Sequence, residues 1–120
     1  MTAFLNQVKS KEEVKENINI MIKIKSRTEI EKMSRAAEIV RDLLFELENL
    51  VKPGVTTLEL DTFAENFIID QGAKPAFKGL YGFPGTLCVS INDEVVHGVP
   101  SNRELIEGDI IGIDVGSIHE

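Results

Sequence analysis

Apolar residues follow two rhythms along this chain, one of about 3.6 residues up to Gly72 and one of two residues beyond it. Ile30, Met33, Ala37, Val40, Leu44, Leu47 and Val51 are separated by steps of three and four, which line one face of a helix. Ser26 and Glu29 stand before this run at capping-box spacing. The serine oxygen can take a free backbone N–H while the glutamate reaches back to the cap. Pro53-Gly54 stops the helix, because proline disfavours a helical residue before it and glycine turns freely. Thr56 and Glu59 form a second capping box, followed by a stripe of Leu60, Phe63, Ala64, Phe67 and Ile68 that ends at Gly72. The pattern predicts two long amphipathic helices.

After Gly72, Leu87, Val89 and Ile91 alternate with Cys88, Ser90 and Asn92, as in a strand with two unlike faces. Asn92-Asp93 is a turn candidate, and residues 94–97 are expected to return as a second strand. Glu107-Gly108-Asp109 makes a further turn, and residues 110–118 read as a third strand. Helices first and strands afterwards predict an α+β fold rather than an alternating parallel sheet. Residues 1–20 stand apart as a charged N-terminal extension, with sparse apolar positions and a capping-box spacing at Ser10 and Glu13. They read as either a docking arm or a dispensable, solvated extension, and Met21 is an alternative start.

Composition narrows the class. The 120 residues are 42% hydrophobic and carry 13 basic against 20 acidic side chains, for a formal net charge of −7. That balance excludes wholesale disorder. One domain of this length buries roughly two-thirds of its unfolded surface. The acidic charge argues against nucleic acid or an anionic membrane as partner. No apolar run approaches the ~20 residues of a membrane span. With one cysteine, Cys88, no internal disulfide forms, so a reducing, cytoplasmic setting is expected.

Candidate chemistry concentrates near the end of the chain. On the last strand Ile111, Ile113 and Val115 share one face, leaving Asp114 on the other between Gly112 and Gly116. A carboxylate on an apolar strand is costly unless paired or bound to a cation. Two readings stand: a metal ligand with space around it, or an aspartate satisfied by backbone N–H groups or a basic side chain. His97 opens His97-Gly98-Val99-Pro100 at a strand end, where imidazole can serve as acid, donor, ligand or structural group. His119 is a weaker candidate, and Cys88 reads as packing rather than nucleophile. No P-loop, dinucleotide-binding, zincin, C-x-x-C or serine-hydrolase motif is present.

From about Ile22 onward the sequence resembles the N-terminal portion of type I methionine aminopeptidases, a family with the pita-bread fold. The resemblance is carried by Ile24-Lys25-Ser26 leading to Glu29-Ile30-Glu31-Lys32-Met33, by Val51-Lys52-Pro53-Gly54-Val55-Thr56-Thr57, and by Pro75-Ala76-Phe77-Lys78-Gly79. Gly82-Phe83-Pro84, Cys88-Val89-Ser90-Ile91-Asn92, Val95-Val96-His97-Gly98-Val99-Pro100 and Gly108-Asp109-Ile110-Ile111-Gly112-Ile113-Asp114-Val115 continue it in order. The fold implied is the N-terminal half of a pita-bread domain over residues 21–120, with two helices packed on antiparallel strands.

The activity implied is removal of the initiator methionine from nascent polypeptides by a dinuclear centre of divalent ions, Co, Mn, Fe or Zn. Asp114 falls on the family's first metal ligand. His97 falls on a histidine that contacts substrate and steadies the tetrahedral intermediate. Phe77, Leu80 and Phe83 fall along the pocket for the substrate methionine, and many relatives carry tyrosine at the position of Leu80. A monovalent cation site lies near the counterpart of Asn92. The remaining metal ligands belong to a C-terminal half beyond Glu120, so the chain is expected to be an inactive fragment prone to self-association. A non-catalytic pita-bread binding module and a prolidase or aminopeptidase P are the alternative readings.

Overall fold

The computed structural model describes residues 22–120, so the expectations for residues 1–20 and Met21 lie outside the described residues. Helix α1 (Arg27–Leu50) and helix α2 (Thr57–Asp70) are followed by strand β1 (Lys74–Pro75), a 3₁₀ turn (Leu80–Gly82), and strands β2 (Leu87–Ile91), β3 (Ile111–Val115) and β4 (Ser117–Ile118). Both helices begin with the capping boxes read from the sequence. Ser26 Oγ accepts the Glu29 N–H, and Thr56 Oγ1 accepts the Glu59 N–H. The bonds that each glutamate accepts from its cap hold its carboxyl below the usual carboxylate range.

The core joins Ile39, Leu43 and Leu47 of α1, Leu60, Ala64 and Ile68 of α2, and Leu87, Val89 and Ile91 of β2, with Leu105 closing one side. This corrects the expected stripe on α1. Ile30 and Met33 are 56% and 57% exposed, Ala37 and Leu44 are also exposed, and of that stripe only Leu47 is fully buried. Apolar residues cover two adjoining arcs of the helix, and steps of three and four fit both. The choice is made by tertiary contacts, among them the Ser117 hydroxyl donating to Ala36 O at 2.9 Å.

Strands β2 and β3 are antiparallel, with Leu87 opposite Val115, Cys88 opposite Asp114 and Ile91 opposite Ile111. Strand β1 pairs with β4, Lys74 opposite Ile118. The expected strand at 110–118 is therefore two strands. At the break the Gly116 carbonyl accepts the Ala76 N–H (3.0 Å), which turns the chain from β2 toward β1.

The expected strand at 94–97 does not form. Asn92 and His97 take φ of 55° and 58°, outside the extended region, and Val95 is 89% exposed. Turn formation at Asn92-Asp93 and at Glu107-Gly108 matches expectation.

Candidate active site

All five residues that the resemblance placed at the site, Phe77, Leu80, Phe83, His97 and Asp114, line one cavity of about 620 Å³. Tyr81, Gly82, Pro84 and Cys88 complete its wall. Two loop segments, residues 77–84 and the one bearing His97, converge there with the β2–β3 strand pair.

The aromatic wall is a compact double turn. Gly79, at φ 82°, reverses the chain, its N–H donating to Phe83 O (2.8 Å), while the Leu80 N–H donates to Phe77 O (3.0 Å). Phe77 is also fixed from the far side, because a Cβ at Gly116 would come within 3.2 Å of its ring and 3.1 Å of Ala76 Cβ. Gly116 thus does not leave room for Asp114, as the sequence had led us to expect; its space is taken by the wall.

His97 reaches the cavity because Gly98 presses against β2. The Val89 N–H donates to Gly98 O at 2.9 Å, and the Gly98 N–H donates to Ser90 Oγ at 3.2 Å. A Cβ on Gly98 would strike the Val89 carbonyl, so only glycine permits this approach. Asp114 is delivered by the β2–β3 register, directly across from Cys88. It is exposed rather than buried, so its charge is not explained by the cost of an apolar environment, and no ion pair among the described residues involves it.

Cys88 is 6% exposed, and burial, then Asp114, then Asp61, push its thiol above the ordinary value. That state favours the neutral thiol and agrees with a packing role, although the sequence did not foretell its place on the cavity floor. His119 does not line the cavity; its Nδ1 is buried without a partner.

Two features escaped the sequence reading. Asp61 is buried on α2, three residues before Ala64 and seven before Ile68, at the spacing of the buried stripe. A carboxylate in that register was the available signal. Tyr81 adopts φ 50° at the cavity rim with its side chain fully exposed, and nothing in its sequence context marks that conformation.

Among the described residues no group of three His, Cys, Asp or Glu side chains is placed to hold a metal ion. Asp114 fits as one carboxylate ligand, and these residues do not by themselves complete a dinuclear centre. Near Asn92 the side chain is already committed. Its Nδ2 donates to Asp109 Oδ1 (2.9 Å), and its Oδ1 accepts the Ile110 N–H (3.0 Å). The Ile106 N–H, then the Asn92 amide, hold the Asp109 carboxyl below the usual carboxylate range.

Residues 31–120 match the model of metallopeptidase family M24. The chain is 51% identical over 96 residues to a methionine aminopeptidase of Clostridium perfringens, covering 80% of this chain and 39% of that protein. A methionine aminopeptidase of Helicobacter pylori is 53% identical over 95 residues, covering 79% of this chain and 38% of its own length. The solved methionine aminopeptidase from Thermotoga maritima superposes with a TM-score of 0.80 at 40% identity, over 83% of this chain and 41% of that one. The structure from Rickettsia prowazekii gives the same TM-score, over 82% and 40%. The two helices and antiparallel strands are thus part of the fold of those enzymes, as the sequence predicted, and the chain spans about 40% of their length.

Proposed function

Because the chain belongs to metallopeptidase family M24, we propose that it is the N-terminal portion of a methionine aminopeptidase that removes the initiator methionine from new polypeptides in the cytoplasm. The observation that carries this reading is the convergence of Phe77, Leu80, Phe83, His97 and Asp114 on one cavity. They come from three segments far apart in sequence, the turn at 77–83, the loop at His97 and strand β3.

In this reading the apolar wall of Phe77, Leu80 and Phe83 receives the unbranched thioether of the N-terminal residue. His97, held at the cavity by Gly98, donates toward the scissile carbonyl, where negative charge develops in the transition state. Asp114 would be one ligand of the divalent ions, which when bound would supply an activated water and polarise the carbonyl. The other ligands belong to the remainder of the family's fold, with Co, Mn, Fe or Zn as the candidate metals. A monovalent cation near Asn92 would use backbone carbonyls, since the Asn92 side chain is taken. Residues 21–120 are then the N-terminal part of the pita-bread aminopeptidase domain, and residues 1–20 a charged N-terminal extension.

The chain alone is then inactive and self-associating. Among the described residues strand β3 pairs with β2 alone, and Ile110 and Ile118 beside it are 76% and 55% exposed. Among the described residues no helix is long and apolar enough to cross a membrane.

The test is cleavage of a Met-Gly-type peptide with Mn²⁺ or Co²⁺, by the chain alone and by the chain joined to the C-terminal portion of the Clostridium perfringens relative. Turnover by the joined polypeptide and none by the chain, with light scattering showing self-association, is the expected result. A monomeric chain with turnover, or a folded joined polypeptide without it, contradicts the proposal.

A further inference from the structure

Helix α2 carries a line of polar residues, Thr57, Asp61 and Glu65, spaced by four and therefore stacked along one side. Each ends on a different segment adjoining residues that line the cavity. The Thr57 hydroxyl donates to Ser101 O (3.1 Å) and accepts the Ser101 N–H (2.8 Å), just beyond the turn that bears His97. Asp61 Oδ1 accepts the N–H groups of Thr86 (2.8 Å) and Leu87 (2.7 Å), at the start of β2 and next to Cys88. Glu65 takes the Lys78 ammonium on both oxygens, at 2.6 and 2.8 Å, beside Phe77.

Asp61 is the centre of this line and is only 6% exposed. A buried carboxylate is costly unless donors meet it, and a leucine in that register would pack the helix without such a cost. Its value therefore lies in what it holds. Gly85 restricts the same joint from the other side. A Cβ there would lie 3.1 Å from Asp61 Oδ1 and 3.0 Å from Pro100 Cδ.

We infer that Asp61 is a positioning residue for the substrate cavity, fixing Leu87 so that Cys88 forms the floor and, across the β2–β3 register, Asp114 faces the same space. The identity of the ligand rests on the peptidase reading; the positioning itself does not. Thr57 and Glu65 hold the flanking loops to the same helix, so α2 acts as one frame for three cavity segments.

The single thiol reports the outcome. Cys88 alkylation by iodoacetamide is measured at one pH in the full chain as wild type, Asp61→Asn and Asp61→Ala, with far-ultraviolet circular dichroism on the same samples. Both variants lack the charge and only asparagine keeps an acceptor oxygen, so their comparison separates the hydrogen bonds from the field at the thiol. Asp61→Ala should label about tenfold faster than Asp61→Asn at equal helical signal, as expected for freeing two buried N–H groups. Equal labelling of the two folded variants overturns the inference. Should Asp61→Ala fail to fold, amide exchange in the wild type decides. Slow exchange at Thr86 and Leu87 supports the inference, and fast exchange there with Leu43 and Leu47 still protected overturns it. Neither readout needs metal or turnover, so failure here is distinct from failure of the peptidase assay.

Discussion

Substituting Gly98 by alanine should release His97 from the cavity at a cost the structure bounds. An added Cβ would meet the Val89 carbonyl carbon at 2.6 Å and Ser90 Cα at 3.0 Å, both backbone atoms that no rotamer change can clear. Keeping the native geometry would then cost at least the ~1–3 kcal/mol of an overpacked core site. The alternative is for the segment to peel away from β2. That forfeits the bonds from Val89 N–H to Gly98 O and from Gly98 N–H to Ser90 Oγ. At about 0.5–1.5 kcal/mol each, peeling costs roughly 1–3 kcal/mol. Val95 and Val96 are already 89% and 65% exposed, so little apolar burial resists the movement. Because the Cβ would overlap the Val89 carbonyl oxygen far more deeply than an ordinary overpacked contact, peeling is the cheaper course and the loss is local. Amide exchange on the Gly98→Ala chain should show fast exchange at Val89 while Leu43 and Leu47 stay protected, with a urea midpoint lowered by no more than the stated cost. An unchanged midpoint together with a protected Val89 amide would refute the reasoning, since it would mean that a Cβ at position 98 leaves the contact with β2 intact.

Three further outcomes follow from named residues. In the joined polypeptide, His97→Ala should lower kcat by about 10²–10³-fold with KM and metal content little changed; loss of metal would instead make His97 a ligand. Asp114→Asn should abolish retained metal, measured by elemental analysis after dialysis, while the helical signal persists, because the side chain is exposed and forms no ion pair among the described residues. The Asp109 carboxyl is lowered by the Ile106 N–H and the Asn92 amide, so its contribution to the turn is present above its unfolded pKa, about 4, and is lost as pH falls through the lower folded value. Exchange at the Ile106 amide should therefore accelerate below about pH 4 beyond its intrinsic pH dependence, and Asp109→Asn should remove that acceleration.

The parts of this fold legible in the sequence were those set by neighbours along the chain. Ser26 with Glu29 and Thr56 with Glu59 close their capping boxes within one turn, and Pro53-Gly54 interrupts the helix wherever it occurs. What could not be read depends on partners far away. The two apolar arcs of α1 are equivalent until α2 and β4 choose between them. Residues 94–97 follow a turn and carry the β-branched Val95 and Val96, as a returning strand would, but positive φ at Asn92 and His97 and the approach of Gly98 to Val89 divert them.

The candidate site was legible through its motifs more than through its physics. Asp114 drew notice as a carboxylate presumed buried, yet the structure exposes it, and the burial argument does not survive although the residue does face the cavity. Asp61 shows the opposite case. It lies in the buried register of α2, but its meaning appears only when Thr86 and Leu87, 25 and 26 residues later, bring their N–H groups to it.

The central claim is that one cavity binds the N-terminal methionine, and photo-crosslinking tests it most directly. A peptide whose first residue is the diazirine analogue of methionine is irradiated with the joined polypeptide, and the adducts are mapped by mass spectrometry. The account predicts adducts on Phe77, Leu80, Phe83, Cys88 or His97, suppressed by excess Met-Gly peptide. Adducts confined to other surfaces, such as the groove between Thr56 and Asn102, or insensitive to the competitor, would contradict it.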